Sequence, residues 1–176
     1  MAQSGLIHLY YGHGKGKTTA VLGLGLRAAG HGWRVLLVQF LKAAATGELA
    51  SIGAIEGFTV LRPRVGRALA MRRDGAGRAE LRAQHDQLLG AAIEAAEQRR
   101  CELLILDEIV AAVNRDLVDR GTLLDFLRHK PAPLEVALTG RDPDDELLAL
   151  ADYVSEVRKV RHPFDRGIPA RPGVER

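Results

Sequence analysis

The sequence predicts one doubly wound α/β domain, a mostly parallel sheet with helices on both faces. Three observations predict it. Short apolar runs alternate with helix-compatible runs from end to end, with no repeat, low-complexity tract or linker between them. The first apolar run, Leu6–Tyr11, leads into Gly12-His13-Gly14-Lys15-Gly16-Lys17-Thr18-Thr19, and a helix-compatible run follows. About ninety residues later, four aliphatics from Leu103 to Leu106 end in Asp107-Glu108. A strand, a glycine-rich turn and Gly-Lys-Thr at a helix start form a phosphate-binding loop, and an acid at a neighbouring strand end holds its metal. The expectation is therefore a P-loop NTPase-like single domain over residues 1–176.

Leu6–Tyr11 is apolar on both faces, as a buried parallel strand should be. In the loop that follows, glycines let backbone N–H groups face one anion, and the helix start adds more N–H groups and a partial positive charge. Lys17 is expected to reach phosphate oxygens and the Thr18 hydroxyl to bind Mg²⁺, with Gly12, His13, Gly14, Lys15, Gly16 and Thr19 completing the nucleotide contacts. The usual loop has four residues between its first glycine and Gly-Lys. Gly12 and Gly16 enclose only three, and Tyr11 stands where the first glycine would be. The loop is one residue short.

The helix from Lys17 to about Ala29 is apolar nearly all round and is expected to be buried against the sheet. Val35–Phe40 is a second buried strand. Gln39 at its C-terminal end is either a ligand contact on the edge where such sheets bind ligands or a strand-end hydrogen bond. Lys42–Ser51 reads as a surface loop entering a short helix, and Phe58–Leu61 as a short strand. Arg62–Gly77 holds five arginines and three glycines with little periodicity. It reads as a mobile loop, either solvated surface or a substrate lid.

Ala79–Arg99 is a long helix whose stripe is Leu81, His85, Leu88, Leu89, Ala92 and Ala96. His85 reads as a helix-boundary histidine rather than a ligand. Asp107 and Glu108 end a buried strand and are expected to hold Mg²⁺ with Thr18, directly or through water. Asp119–Lys130 is a helix closed by Pro131 and Pro133, and Leu134–Thr139 is a further buried strand. Asp142 before Pro143 reads as a helix cap. Arg141, on the ligand-facing edge, has the fork that suits phosphate. Tyr153–Val160 is a last strand. The tail, His162-Pro163-Phe164-Asp165-Arg166-Gly167, should lie over the surface.

The chain has 176 residues, enough for one sizeable core, and a formal net charge of +3. That excess suits phosphate-bearing ligands and falls short of a nucleic-acid footprint. The single cysteine, Cys101, excludes an intramolecular disulfide and reads as a buried inert thiol. No signal-like or membrane-spanning apolar run is present, and the expectation is a cytoplasmic protein with no membrane partner.

The assembled motifs resemble the P-loop ATP:corrinoid adenosyltransferases, also called cob(I)alamin adenosyltransferases. The matching residues are Gly12–Thr19, Arg27-Ala28-Ala29-Gly30-His31-Gly32, Val38-Gln39-Phe40-Leu41-Lys42, Gly47-Glu48, Leu106-Asp107-Glu108, Thr139-Gly140-Arg141-Asp142, His162-Pro163-Phe164-Asp165 and Gly167-Ile168. They span nearly the whole chain in the family's order, and the short loop is itself a mark of the family. His13 departs from the commoner Asn or Asp, as does Ala43-Ala44-Ala45 from a more polar stretch. The resemblance implies that cobalt(I) of a reduced corrinoid attacks the 5′-carbon of ATP and triphosphate leaves. It also implies Mg²⁺, a homodimer and a flavoprotein reductant. Lys17, Thr18 and Glu108 are the expected catalytic residues, and Leu69 and Met71 the expected apolar contact with the corrin. Family members often carry aromatic residues in that loop, and this loop has none. Two other functions share the motifs. A nucleic-acid-coupled ATPase would use Glu108 to position water, and a small-molecule kinase would transfer the terminal phosphoryl group.

Overall fold

Six strands, β1 (Ile7–Tyr11), β2 (Val35–Gln39), β3 (Phe58–Leu61), β4 (Leu103–Asp107), β5 (Glu135–Gly140) and β6 (Tyr153–Glu156), form one sheet in the order β3-β2-β4-β5-β1-β6. Every pairing is parallel. The computed structural model describes residues 4–42, 46–63 and 75–174. Helices α1 (Lys17–Gly30), α2 (Gly47–Ile52), α3 (Gly75–Glu97), α4 (Ile109–Val113), α5 (Arg120–His129) and α6 (Asp145–Leu150) connect the strands, and a 3₁₀ turn spans Pro163–Arg166.

Both faces of the sheet are covered, which is why β2 and β4 are buried at every residue. On one face, Leu37, Leu103, Ile105 and Ala137 pack with Val21 and Ala28 of α1 and with Ile52 and Phe58. On the other, Leu9, Val38, Leu104, Leu106 and Leu138 pack with residues of α3, α4, α5 and α6, among them Leu89, Ile109, Leu123 and Leu147. α1 sits so close to the sheet that a Cβ on Gly25 would lie 2.9 Å from the Phe58 ring.

The elements lie where the apolar runs predict them, with five differences. α1 is one-faced rather than buried all round, with Leu26 57% exposed. α3 begins at Gly75, inside the stretch that reads as loop. The expected helix cap at Asp142 is a correction. Asp142 has φ 51, and Asp144 caps α6 by accepting the Leu147 N–H at 2.9 Å. β6 is shorter than Tyr153–Val160 and is exposed at every residue, as the outer strand beside β1. His85 is no boundary residue: it lies well inside α3 and is 1% exposed. The expected corrin contacts Leu69 and Met71, and most of the arginine-rich loop, lie outside the described residues.

Burial pushes the Cys101 thiol up to about 11, as expected of an inert core thiol. Among the described residues no helix is long and apolar enough to cross a membrane.

Candidate nucleotide site

The loop after β1 is pressed against the segment after β6. The Gly14 N–H donates to the Val157 carbonyl at 2.7 Å, and a Cβ on Gly14 would lie 2.7 Å from that oxygen. The Gly12 N–H donates to the Gly140 carbonyl at 3.2 Å. Two of the loop's N–H groups are thus spent on the fold. The expectation that the glycine N–H groups face an anion narrows to the remainder, nearer the start of α1. Gly16 has φ 121, a conformation that admits glycine, and it turns the chain into α1 with no side-chain cap. The helix N-terminus therefore keeps its N–H groups for a ligand.

Lys17 is 6% exposed, and its Nζ donates to the carbonyls of Gly12 at 2.6 Å and Gly14 at 2.9 Å. Burial holds its pKa below the ordinary lysine value, against the pull of Glu108 and Asp107. The ammonium closes the loop on itself, and Lys17 borders the cavity that the loop lines.

β5 stands between β1 and β4, and it bridges the loop to the acidic strand end. Thr139 Oγ1 donates to Asp107 Oδ1 at 2.8 Å and accepts the Glu108 N–H at 2.8 Å. Thr18 Oγ1 donates to the same Asp107 oxygen at 3.0 Å. The other carboxylate oxygen, Oδ2, accepts from Lys42 Nζ at 2.6 Å and from Gln39 Nε2 at 3.3 Å. Lys42 Nζ also donates to Thr18 Oγ1 at 2.8 Å. Sequence reasoning missed Thr139 and Lys42 as site residues, although both fall in the motifs that carry the resemblance. Their signal was position: each lies at or just past the C-terminal end of a parallel strand, on the ligand-binding edge.

His13, Gly14, Lys15, Gly16, Lys17, Thr18 and Thr19 line one cavity of about 690 Å³ with Glu108 and Arg141. Further lining comes from the chain before and within α2 (Thr46, Gly47, Glu48) and from the tail, including Phe164, Ile168 and Arg171. The tail is therefore part of the site's wall as well as surface. Gln39 and Asp107 are fully buried and lie behind the lining. Gly12 is placed likewise, with its carbonyl on Lys17.

Glu108 starts α4 with φ 63, and its carboxylate makes no hydrogen bond among the described residues. A histidine–carboxylate pair does exist at the rim: His13 Nε2 lies 3.1 Å from Asp142 Oδ1, with both side chains exposed. Among the described residues the hydroxyls lining the cavity are those of Thr18, Thr19 and Thr46, and neither His13 nor the Asp142 carboxylate hydrogen-bonds any of them, as an activated nucleophile would require.

The residues suit a divalent cation held mainly by a ligand's phosphates. Thr18 gives its proton to Asp107, so its lone pairs are left for a cation, and one already points at an ammonium. Gln39 Oε1 is buried with no partner among the described residues, an acceptor free for a metal's water. No cluster of three or more His, Cys, Asp or Glu side chains among the described residues could cage a metal alone. That is the donor set Mg²⁺ prefers, one or two protein oxygens beside phosphates and water.

Residues 3–176 match the family model described as ATP:corrinoid adenosyltransferase BtuR/CobO/CobP. The chain is 35% identical over 175 residues to a corrinoid adenosyltransferase from Sinorhizobium sp, covering 98% of this chain and 81% of that protein. It is 33% identical over 176 residues to the corrinoid adenosyltransferase of Escherichia coli strain K12, covering 98% and 86%. The corrinoid adenosyltransferase CobA of Salmonella typhimurium is 31% identical over 175 residues, with 98% and 86% covered.

Proposed function

The chain belongs to the ATP:corrinoid adenosyltransferase family, and from that membership we propose how its own residues carry out ATP-dependent corrinoid adenosylation. The reaction serves cobalamin biosynthesis or salvage. The observation that carries the residue-level reading is that the short loop, Lys17, Thr18, Glu108 and Arg141 line one and the same cavity.

Cobalt(I) of the corrinoid supplies an electron pair to the 5′-carbon of ATP. The Co–C bond forms as the C5′–O bond breaks, and triphosphate leaves with the bonding pair. Displacement at carbon by so strong a nucleophile needs no general base, and none of the described cavity hydroxyls is paired with His13 and Asp142. The protein's work is positioning and charge stabilisation. The α1 N-terminus and its free N–H groups hold the triphosphate, Lys17 opposes its growing charge, and the Arg141 fork grips an outer phosphate. His13, Lys15 and Thr19 line the cavity and would contact the nucleotide from the loop side. Gln39 acts from behind by donating to Asp107. Mg²⁺, held by Thr18 with Asp107 and Glu108 through water, would neutralise part of the leaving group's charge.

Leu69 and Met71 are the proposed apolar contacts for the corrin face, resting on their place in the arginine-rich loop. A homodimer, a flavoprotein reductant and a cytoplasmic setting are proposed on the family resemblance. The modest charge supports a function without nucleic acid. Incubation with Mg²⁺, ATP and chemically reduced cobalamin tests the reading through its products, adenosylated corrinoid and triphosphate.

A further inference from the structure

Lys42 holds a position that chemistry would otherwise give to a metal. Its Nζ lies 2.8 Å from Thr18 Oγ1 and 2.6 Å from Asp107 Oδ2, bridging the strand-end acid and the loop threonine. The Asp107 side chain is 0% exposed, and its other hydrogen-bond partners among the described residues, Thr18, Thr139 and Gln39, are all uncharged. Removing one partner of a buried ion pair is strongly destabilising, because the other charge is left buried and uncompensated. Lys42 supplies the compensating cation at hydrogen-bond distance, covalently tied to the chain.

The mount of Lys42 is specific. Phe40 donates its N–H to the Asp107 carbonyl at 2.9 Å, extending the β2–β4 ladder by one bond. Leu41 then turns with φ 60, a left-handed conformation that a leucine adopts only under constraint. His85 Nε2 accepts the Leu41 N–H at 3.1 Å, while the other ring nitrogen donates to the Leu81 carbonyl at 2.7 Å. Without the turn at Leu41 the chain would continue along β2, away from Thr18. Lys42 also borders both the large cavity and a neighbouring one of about 300 Å³, so its side chain has open space on either side.

We propose that the Lys42 ammonium and the divalent cation compete for one position between Thr18 and Asp107, so that metal enters with the nucleotide's phosphates and not ahead of them. This rests on the reading of Thr18 and Asp107 as the metal-holding pair. A metal alone must expel an ammonium from a buried carboxylate and leave it unpaired. A metal arriving on triphosphate brings oxygens to which the displaced ammonium can turn. An ammonium that holds the position nine-tenths of the time or more lowers the apparent affinity for free metal about tenfold or more.

The test is a Mn²⁺ titration of the full chain without nucleotide, reading free Mn²⁺ by electron paramagnetic resonance and the melting temperature in parallel. Lys42→Met is expected to bind Mn²⁺ at least about tenfold more tightly than wild type. Its melting temperature should fall without metal and recover with it, while wild type responds little. Lys42→Gln, which keeps an N–H but no charge, should gain in the same direction, so one poorly folding variant still leaves a reading. Lys42→Arg should bind Mn²⁺ as weakly as wild type. Adding Asp107→Asn to Lys42→Met should abolish the gain. Equal Mn²⁺ affinity in wild type, Lys42→Met and Lys42→Gln overturns the proposal, as does a gain that survives Asp107→Asn. The readout involves no corrinoid, so it fails or succeeds apart from the adenosyl-transfer reading.

Discussion

Lys17 Nζ lies 2.6 Å from the carbonyl oxygen of Gly12, a residue of its own loop. The same ammonium reaches the Gly14 carbonyl, and burial keeps its pKa below the ordinary lysine value. The positive charge is thus held on the loop's own carbonyls and borders the cavity proposed to take the triphosphate. Lys17→Ala removes that charge from the leaving group, and losing one such preorganised contact costs on the order of 100-fold or more in rate. Steady-state kinetics should show that loss in a protein with wild-type circular dichroism. Wild-type turnover in the variant would mean that the loop does not hold the triphosphate.

Glu108 separates displacement at carbon from hydrolysis. In an ATPase its carboxylate would position water, and Glu108→Gln would bind ATP and stop hydrolysing it. In the adenosyltransferase no water is activated. Glu108→Gln should then weaken the response to Mg²⁺ concentration without trapping ATP. Robust hydrolysis to ADP by the wild type, lost in Glu108→Gln, would favour the ATPase.

Thr139 links two residues of the acidic strand end through one hydroxyl. Thr139→Val keeps the shape and strands both the Glu108 N–H and one Asp107 lone pair. Urea denaturation should show a loss of about 1–3 kcal/mol, the cost of leaving buried polar groups unpaired. The Mg²⁺ concentration giving half-maximal activity should rise as well. An unchanged urea midpoint would mean that the hydroxyl bridges nothing of consequence.

His85 gives the fold an acid limit. Burial pushes its pKa below the ordinary 6.5, although the Leu81 carbonyl and Asp86 pull the other way. Its Nε2 must stay unprotonated to accept from Leu41. The unfolded chain takes up the proton at the higher pKa, so between the two values the unfolded state binds more protons and stability rises with pH. The His85 contribution is therefore intact above about 6.5 and erodes as pH falls toward the folded value. Chemical denaturation across pH 5 to 8 should show less slope in His85→Gln than in wild type. Identical slopes would remove His85 as the titrating group.

The sheet was legible because its strands are buried on both faces and read as continuous aliphatic runs, Leu103–Leu106 above all. The loop and the acidic strand end were legible because their chemistry demands fixed residue types. The use of the loop's N–H groups was not, since the partners of Gly12 and Gly14 are Gly140 and Val157, more than a hundred residues away. Asp142-Pro143-Asp144-Asp145 offers several capping acids, and the sequence alone favours the one before proline. The left-handed turn at Asp142, tied by Asn114 Nδ2 to the Arg141 and Asp142 carbonyls, moves the cap to Asp144. Lys42 was hidden for a related reason. Its direction depends on the turn at Leu41 and on a histidine from α3, and neither relation leaves a local pattern.

Triphosphate release tests the central claim most directly. Wild-type protein, Mg²⁺, ATP and chemically reduced cobalamin are incubated without oxygen, and the products are separated by anion-exchange chromatography with the corrinoid followed by absorbance. The predicted result is triphosphate and adenosylated cobalamin in equal amounts, with neither formed when cobalamin is omitted. ADP appearing in place of triphosphate, with the corrinoid unchanged, would contradict the account.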